Sequence, residues 1–234
     1  MAIWQRLIEI IDGGAAALLA VFEWAAAMVG GMVDPETRRQ VAFSAAMIAL
    51  SAKMAKADGV VTSDEVATFR RLFVVPPGEE RHVARLFDIA KEDVAGYEAY
   101  ATRVADFYGD DRTGLMDVMD GLFVIATADG AVHDLEMAYL ENVASILGFD
   151  HLEFERIAAR YVISEGSDPY LVLGVSRADT IDAIRRRYRA LVREHHPDRA
   201  IARGVPPEMV AIAHERLAAI NAAFERIEYE KRLN

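Results

Sequence analysis

The sequence predicts an all-α protein in two parts, a pseudo-symmetric helical bundle followed by a helical hairpin. Three observations carry this. From Asp34 to about Tyr161, apolar residues recur at three- and four-residue spacing with no alternating, strand-like run. One nine-residue segment within that stretch occurs twice, and beyond Asp168 two more helical stripes flank a short polar loop. With 234 residues, 53% of them hydrophobic, the chain is long enough for one large domain or two small ones with substantial cores.

Charge divides the chain in the same place. Overall, 26 Lys and Arg stand against 37 Asp and Glu, a net charge of −11, which argues against a general polyanion binder and leaves no nucleic-acid partner expected. From Asp168 onward twelve Lys and Arg face ten Asp and Glu, a net +2, so the acidity lies upstream. Four domain segments follow: 1–33, an apolar N-terminal segment; 34–163, the bundle; 164–167, a linker rich in turn formers; and 168–234. The chain has no cysteine, which removes disulfides, thiolate nucleophiles and Cys-containing zinc sites and suits a reducing compartment.

Gly13 to Val33 is a 21-residue run carrying one charge, Glu23. As a helix it rises about 31 Å, enough to cross a bilayer. Against that, an acid near the middle costs about 3 kcal/mol on insertion scales, and the run is mostly Ala and Gly. A membrane anchor and a packed helix both stay open. Arg6 alone supplies positive charge at the start, which does not suit a secretory signal.

Asp34-Pro35-Glu36 reads as a cap, a proline at the first helical position and a first-turn acid, opening a helix through about Ala55. Val75-Pro76-Pro77-Gly78 ends another helix, and Gly109-Asp110-Asp111 ends a further one near Tyr108. Roughly six or seven helices are expected up to Tyr161.

The duplicated segment is Ala57-Asp58-Gly59-Val60-Val61-Thr62-Ser63-Asp64-Glu65, recurring 71 residues later as Ala128-Asp129-Gly130-Ala131-Val132-His133-Asp134-Leu135-Glu136. Each copy ends one helix at Asp-Gly, turns and starts the next, so two similar hairpins are expected to pair. As a connector, the glycine supplies a left-handed cap and Thr62 with Glu65 a capping box, while His133 is a poor N-cap that Asp134 replaces one position later. As a functional site, Asp58, Glu65, Asp129 and Glu136 place hard oxygen ligands for a divalent metal ion at two related turns. A standard calcium loop is excluded, since its first and third ligand positions fall on Met54 and Lys56, then on Ile125 and Thr127.

Downstream, a capped helix starts at Asp179 or Thr180, with Ile181, Ile184, Tyr188, Leu191 and His195 on its packed face. Arg185, Arg189 and Arg193 recur every four residues on another face, with Arg186 beside them, forming a basic strip. From about Pro207 a second long helix is expected to bury Val210, Ala213, Leu217, Ile220, Phe224 and Ile227. Between the two stands His195-His196-Pro197-Asp198. Zinc binding lacks a third ligand at local spacing, and acid-base catalysis lacks a nucleophile or substrate-binding motif. A helix stop accounts for the position, with Pro197 as breaker, but not for the whole pattern.

These residues carry two resemblances. The duplicated Ala-Asp-Gly hairpins resemble the TerB-like tellurite-resistance fold over roughly residues 35 to 162, which implies an all-helical domain with an acidic, metal-associated face. Asp168-Pro169-Tyr170, Leu173-Gly174-Val175, Tyr188-Arg189, His196-Pro197-Asp198 and Ile220-Asn221-Ala222-Ala223-Phe224 together resemble a J domain of the DnaJ type, with Phe224 in place of the more usual Tyr. That resemblance implies docking on a DnaK-type chaperone through His196, Pro197 and Asp198 and the basic helix residues Arg185, Arg186, Arg189 and Arg193, with stimulation of its ATP hydrolysis.

The domain order is similar to the DjlA-like membrane-anchored DnaJ proteins of bacteria. It implies a non-enzymatic co-chaperone in the cytoplasm, free or at the inner membrane, whose acidic bundle serves targeting or oligomerisation. An unfolded or specific client is the further partner implied, and homodimerisation stays open. No Gly/Phe-rich linker, Cys-rich module or β-sheet client domain follows, and no fourth J-domain helix is evident before Asn234. The rival reading is a metal-responsive stress or scaffold protein with a secondary or inactive J domain. No cofactor is required by the first reading; a divalent ion is by the second.

Overall fold

In the computed structural model, residues 35–58, 96–128, 130–162, 168–202 and 207–233 are described, and these are helical with no strand among them. The expected N-terminal segment 1–33, the capping box of Thr62 and Glu65 and the stop at 75–78 lie outside the described residues. The described helices fall into two compact units that meet in sequence between Phe149 and Asp150.

The first unit is organised around α1 (Pro35–Asp58), which begins at the expected proline and runs three residues past the expected end. Its side chains from Ala42 to Met54 are all buried, as expected of a central helix rather than an amphipathic one. Around it pack α2 (Tyr97–Tyr108), α3 (Arg112–Ala126) and α4 (Asp134–Ile146). The Tyr139 hydroxyl donates to the Leu50 carbonyl at 2.8 Å, tying α4 to the middle of α1.

Local chemistry sets these boundaries. Gly109 closes α2 with φ +51° and its N–H on the Ala105 carbonyl, where the sequence expects a stop. Asp111 then caps α3 by accepting from the Gly114 N–H at 3.1 Å. Gly114 is needed for a second reason, because the Tyr108 ring lies where a Cβ would stand. Burial, with Asp117 and Asp111 close by, pushes the Tyr108 hydroxyl well above its ordinary pKa.

The second copy of the repeat departs from expectation at both ends. Helix α3 stops at Ala126, not at Asp129-Gly130, with both the N–H and the hydroxyl of Thr127 on the Phe123 carbonyl, at 2.9 and 2.8 Å. Gly130, at φ +102°, belongs to the turn that follows. His133, and not Asp134, is the N-cap, with extended backbone and its N–H held by the Glu136 carboxylate at 2.9 Å. The acid three residues on supplies what the residue type at the cap does not.

The second unit opens with α5 (His151–Tyr161), capped reciprocally by Asp150 and Glu153. The sequence assigns this helix to the bundle; it packs instead on α6 (Pro169–Leu173) and α9 (Pro207–Leu233). Ala159 lies against the core of Tyr170, Leu173, Ile184, Leu191, Ile220 and Ile227, and Arg156 stands 3.5 Å from where a Gly174 side chain would begin. Between α6 and α9 run α7 (Ile181–Glu194) and α8 (Pro197–Ala202).

Two outcomes follow from this packing. Gly114→Ala is expected to destabilise the protein by about 1–3 kcal/mol, since the ring beneath it must be displaced, and an unchanged denaturant midpoint would refute the contact. A fragment of residues 150–234 is expected to melt at least ~5 °C above one of residues 168–234, the shift that about 1 kcal/mol produces in so small a domain. Equal melting temperatures would return α5 to the bundle.

Candidate functional site

The site is built on a hairpin whose parts are locked before any partner arrives. Asp168 caps α6, accepting from the Tyr170 N–H at 3.0 Å, with Pro169 at the first helical position. Gly174 ends it in the left-handed conformation, φ +64°, while the Val175 N–H reaches back to the Tyr170 carbonyl at 2.9 Å. Of the two expected caps for α7, Thr180 is the one used, accepting from the Ala183 N–H at 3.3 Å; Asp179 instead closes the preceding turn on the Ser176 N–H.

Helix α7 leans on α9 through one aromatic seam. The Tyr188 and Phe224 rings stack with centroids 4.0 Å apart and 6° between planes, and the Tyr188 hydroxyl donates to Asn221 Oδ1 at 3.0 Å. Phenylalanine at 224 therefore keeps the anchoring face, and the polar contact comes from the opposite partner. On α9 the buried positions are Ile212, Ala213, Arg216, Ile220, Ala223 and Ile227, while Val210, Leu217 and Phe224 of the expected stripe are half-buried. The inward face is turned by part of a residue step, and Arg216 takes a place the pattern gave to Leu217.

The four strip arginines are not equivalent. Arg185 binds Glu228 through both Nε, at 3.1 Å, and Nη2, at 2.8 Å, and so staples α7 to α9. Arg186, Arg189 and Arg193 are exposed, and no ion pair among the described residues engages them. Arg187, outside the expected strip, donates from Nε to the Leu173 carbonyl at 3.2 Å and fixes α7 on α6.

His195 caps the end of α7, and His196-Pro197-Asp198 then opens a new helix rather than only stopping the old one. Pro197 is buried at the first position of α8, where its missing N–H costs nothing. His196 Nδ1 accepts from the Asp198 N–H at 3.2 Å, so in the neutral ring the proton sits on Nε2. The Asp198 carboxylate lies 3.4 Å from the same Nδ1 and pairs with it only when the ring is charged. Arg199, which the sequence reading did not single out, donates to the Arg193 carbonyl at 3.3 Å and bonds the end of α7 to α8. Its signal was only its place directly after the tripeptide. Tyr188, Arg189, Val192, Arg193, His196 and Arg199 line an open groove of about 320 Å³. An apolar floor rimmed by guanidinium groups, with a fixed polar turn at one end, suits a partner surface carrying carboxylates around an apolar contact.

Of the four acidic residues singled out in the repeat, Glu136 alone has a described side chain. Glu136 is 2% exposed and committed to the His133 N–H. Asp58 is the last residue of α1, and Glu65 and Asp129 lie outside the described residues. Among the described residues, no three His, Asp or Glu side chains converge as a metal site. None of their helices is long and apolar enough to cross a membrane.

Comparison with known families places the boundary later than the packing does, with most of α5 on the bundle side. The tellurite resistance protein TerB family matches residues 44–159, running into α5, and the DnaJ domain family matches residues 168–233. A TerB domain followed by a J domain defines a non-enzymatic J-domain co-chaperone. Co-chaperone protein DjlA of Photobacterium profundum is 30% identical over 219 residues, 82% of this chain and 79% of that protein. DjlA of Vibrio cholerae is 30% identical over 233 residues, 86% of this chain and 82% of that protein. The chain belongs to the DjlA co-chaperone family. DjlA of Shewanella oneidensis is 34% identical over 118 residues, 45% of each chain, and no solved structure matches.

The unequal arginines make a direct prediction. Arg185→Ala should cost about 0.5–1 kcal/mol of stability in denaturant unfolding, whereas Arg186→Ala and Arg189→Ala should stay within about 0.3 kcal/mol of the parent. Equal losses at all three positions would show that the staple to Glu228 does not form.

Proposed function

We propose that the chain docks on a DnaK-type chaperone through the His196-Pro197-Asp198 turn and the exposed arginines Arg186, Arg189 and Arg193, and stimulates that chaperone's ATP hydrolysis. Arg185 belongs to this surface chiefly as the group that orients α7. The observation that carries the reading is the groove itself, which puts Arg189, Arg193 and Arg199 beside the turn on one side of the hairpin. The mechanism needs no catalytic group on this chain: binding that favours the hydrolytic conformation of the ATPase over its resting one shifts that equilibrium by the difference in affinity. The acidic TerB unit acts in targeting or oligomerisation, with an unfolded or specific client as the further partner, and the protein works in the cytoplasm or on the cytoplasmic side of the inner membrane. A divalent ion at the TerB unit would have to be held mainly by groups other than Glu136, whose carboxylate is engaged in the helix cap.

Single-turnover ATP hydrolysis by a DnaK-type chaperone from the same source tests this. The full chain is expected to raise the rate about tenfold or more, a barrier change of ~1.4 kcal/mol, and His196→Gln to return it to the rate of the chaperone alone. The stimulation should also weaken between about 0.05 and 0.3 M salt as the arginine contacts are screened. A folded parent protein that leaves the rate unchanged would reject the proposal.

A further inference from the structure

The largest fully buried side chain in the described structure is a cation that the docking surface does not use. Arg216, on α9, is 1% exposed. Its Nη1 lies 3.4 Å from Nδ1 of His195, which is 8% exposed and directly precedes His196. A guanidinium can only donate, so Nδ1 must accept and the His195 proton resides on Nε2. His195 is also the residue at which α7 ends: its N–H closes the last turn on the Leu191 carbonyl at 2.9 Å, and its backbone, at φ −102° and ψ 15°, leaves the helix there. The imidazole thus occupies the corner between α7 and α8, and Arg216 connects that corner to α9, the helix against which both pack.

Burying a guanidinium is expensive, and an apolar side chain of similar volume often serves stability as well or better. What an apolar residue cannot do is select a tautomer or fix the rotation of an imidazole ring. We propose that Arg216 is a positioning residue for the co-chaperone function: it locks the His195 ring, and through the backbone of that corner it sets the direction in which His196, Pro197 and Asp198 leave α7. The exposed arginines then govern how tightly the partner is held, and Arg216 governs how far the bound partner is activated. The inference rests on the docking reading of the preceding subsection.

The test uses the full chain with Arg216→Met, which keeps much of the volume and removes the donors, and Arg216→Lys, which restores a donor without the fork. Two quantities are read, namely the concentration dependence of ATPase stimulation on a DnaK-type chaperone and the nitrogen-15 shifts of the His195 ring in the protein alone. The Met variant is expected to lose about fivefold or more in maximal stimulation while the half-saturating concentration moves less than about twofold, with Lys recovering part of the loss. His195 should be the pure Nε2–H tautomer in the parent and a mixture in the Met variant. A folded Met variant with full maximal stimulation would overturn the proposal, as would one whose half-saturating concentration alone changes. If the Met variant does not fold, the Lys variant decides: a shifted tautomer with undiminished maximal stimulation overturns it, and a shifted tautomer with a reduced maximum supports it. A parent chain that shows the pure tautomer yet stimulates no ATPase would fail the docking reading and leave the local lock intact, so the two failures are distinguishable.

Discussion

Everything the C-terminal unit presents depends on the seam between α7 and α9. A helix of fourteen residues with arginines along one side has no reason to be ordered alone, since isolated helices of that length are marginal in water. The Tyr188–Phe224 stack, the Tyr188 hydroxyl on Asn221 and the Arg185–Glu228 staple supply the order, all within one turn in the middle of α7. The ring pair does most by area, because stacked aromatics bury large apolar faces and hold a defined geometry; the staple, exposed to water, contributes little energy and mainly registers the two helices. With α7 held in this way, the positions of Arg186, Arg189 and Arg193 follow from helical geometry alone.

The arginines of α7, and Arg199 after the turn, divide by what lies opposite them. Arg185 faces a glutamate on α9 and Arg187 faces a helix-end carbonyl, so both are used internally. Arg199 does both jobs, since its Nη1 holds the Arg193 carbonyl while its side chain lines the groove. The remaining exposed three carry positive charge on a chain whose net charge is −11, and a local positive field on an acidic protein is selective: it attracts carboxylate-bearing surfaces while the rest of the molecule repels polyanions. Such a surface gains more in association rate and orientation than in affinity.

Elements whose signals are local were legible from the sequence. Pro35 at the start of α1, Gly109 at the end of α2 and the Asp168-Pro169 opening of α6 each act within a few residues, and each appears where the sequence places it. The arginine strip shows in its four-residue spacing, whereas the local signal of His-Pro-Asp gives only a helix stop and not the short helix α8 that it opens. What escaped depends on partners distant in sequence or on competition between local options. Arg185 and Glu228 are separated by 43 residues, so periodicity places both at the surface and cannot pair them. Arg216 reads as a polar side of an amphipathic helix, and only the packed corner shows it to be inside. His133 was discounted as a cap by residue type, although the carboxylate three residues on performs the function. Helix α5 carries the bundle's periodicity like its predecessors, and no spacing rule could say on which unit its apolar face would rest.

The build of the turn bears on how, in the proposed docking, a short, partly exposed segment could act on a large partner. Three independent constraints converge on it. The proline ring fixes φ at the first position of α8, the Nδ1 of His196 accepts the Asp198 N–H, and Arg199 bonds the last turn of α7. An unconstrained loop of the same composition would have to be ordered on binding, at about 1–2 kcal/mol per backbone residue, and that cost would be subtracted from whatever the contact contributes to activating the partner. Here the ordering was completed when the hairpin folded. In the proposed docking, the interaction free energy of the turn is therefore available to discriminate between two conformations of the ATPase, and only that discrimination can shift an equilibrium. In that docking a co-chaperone without catalytic groups has no other lever, so the rigidity of the turn is the property on which the proposed stimulation depends.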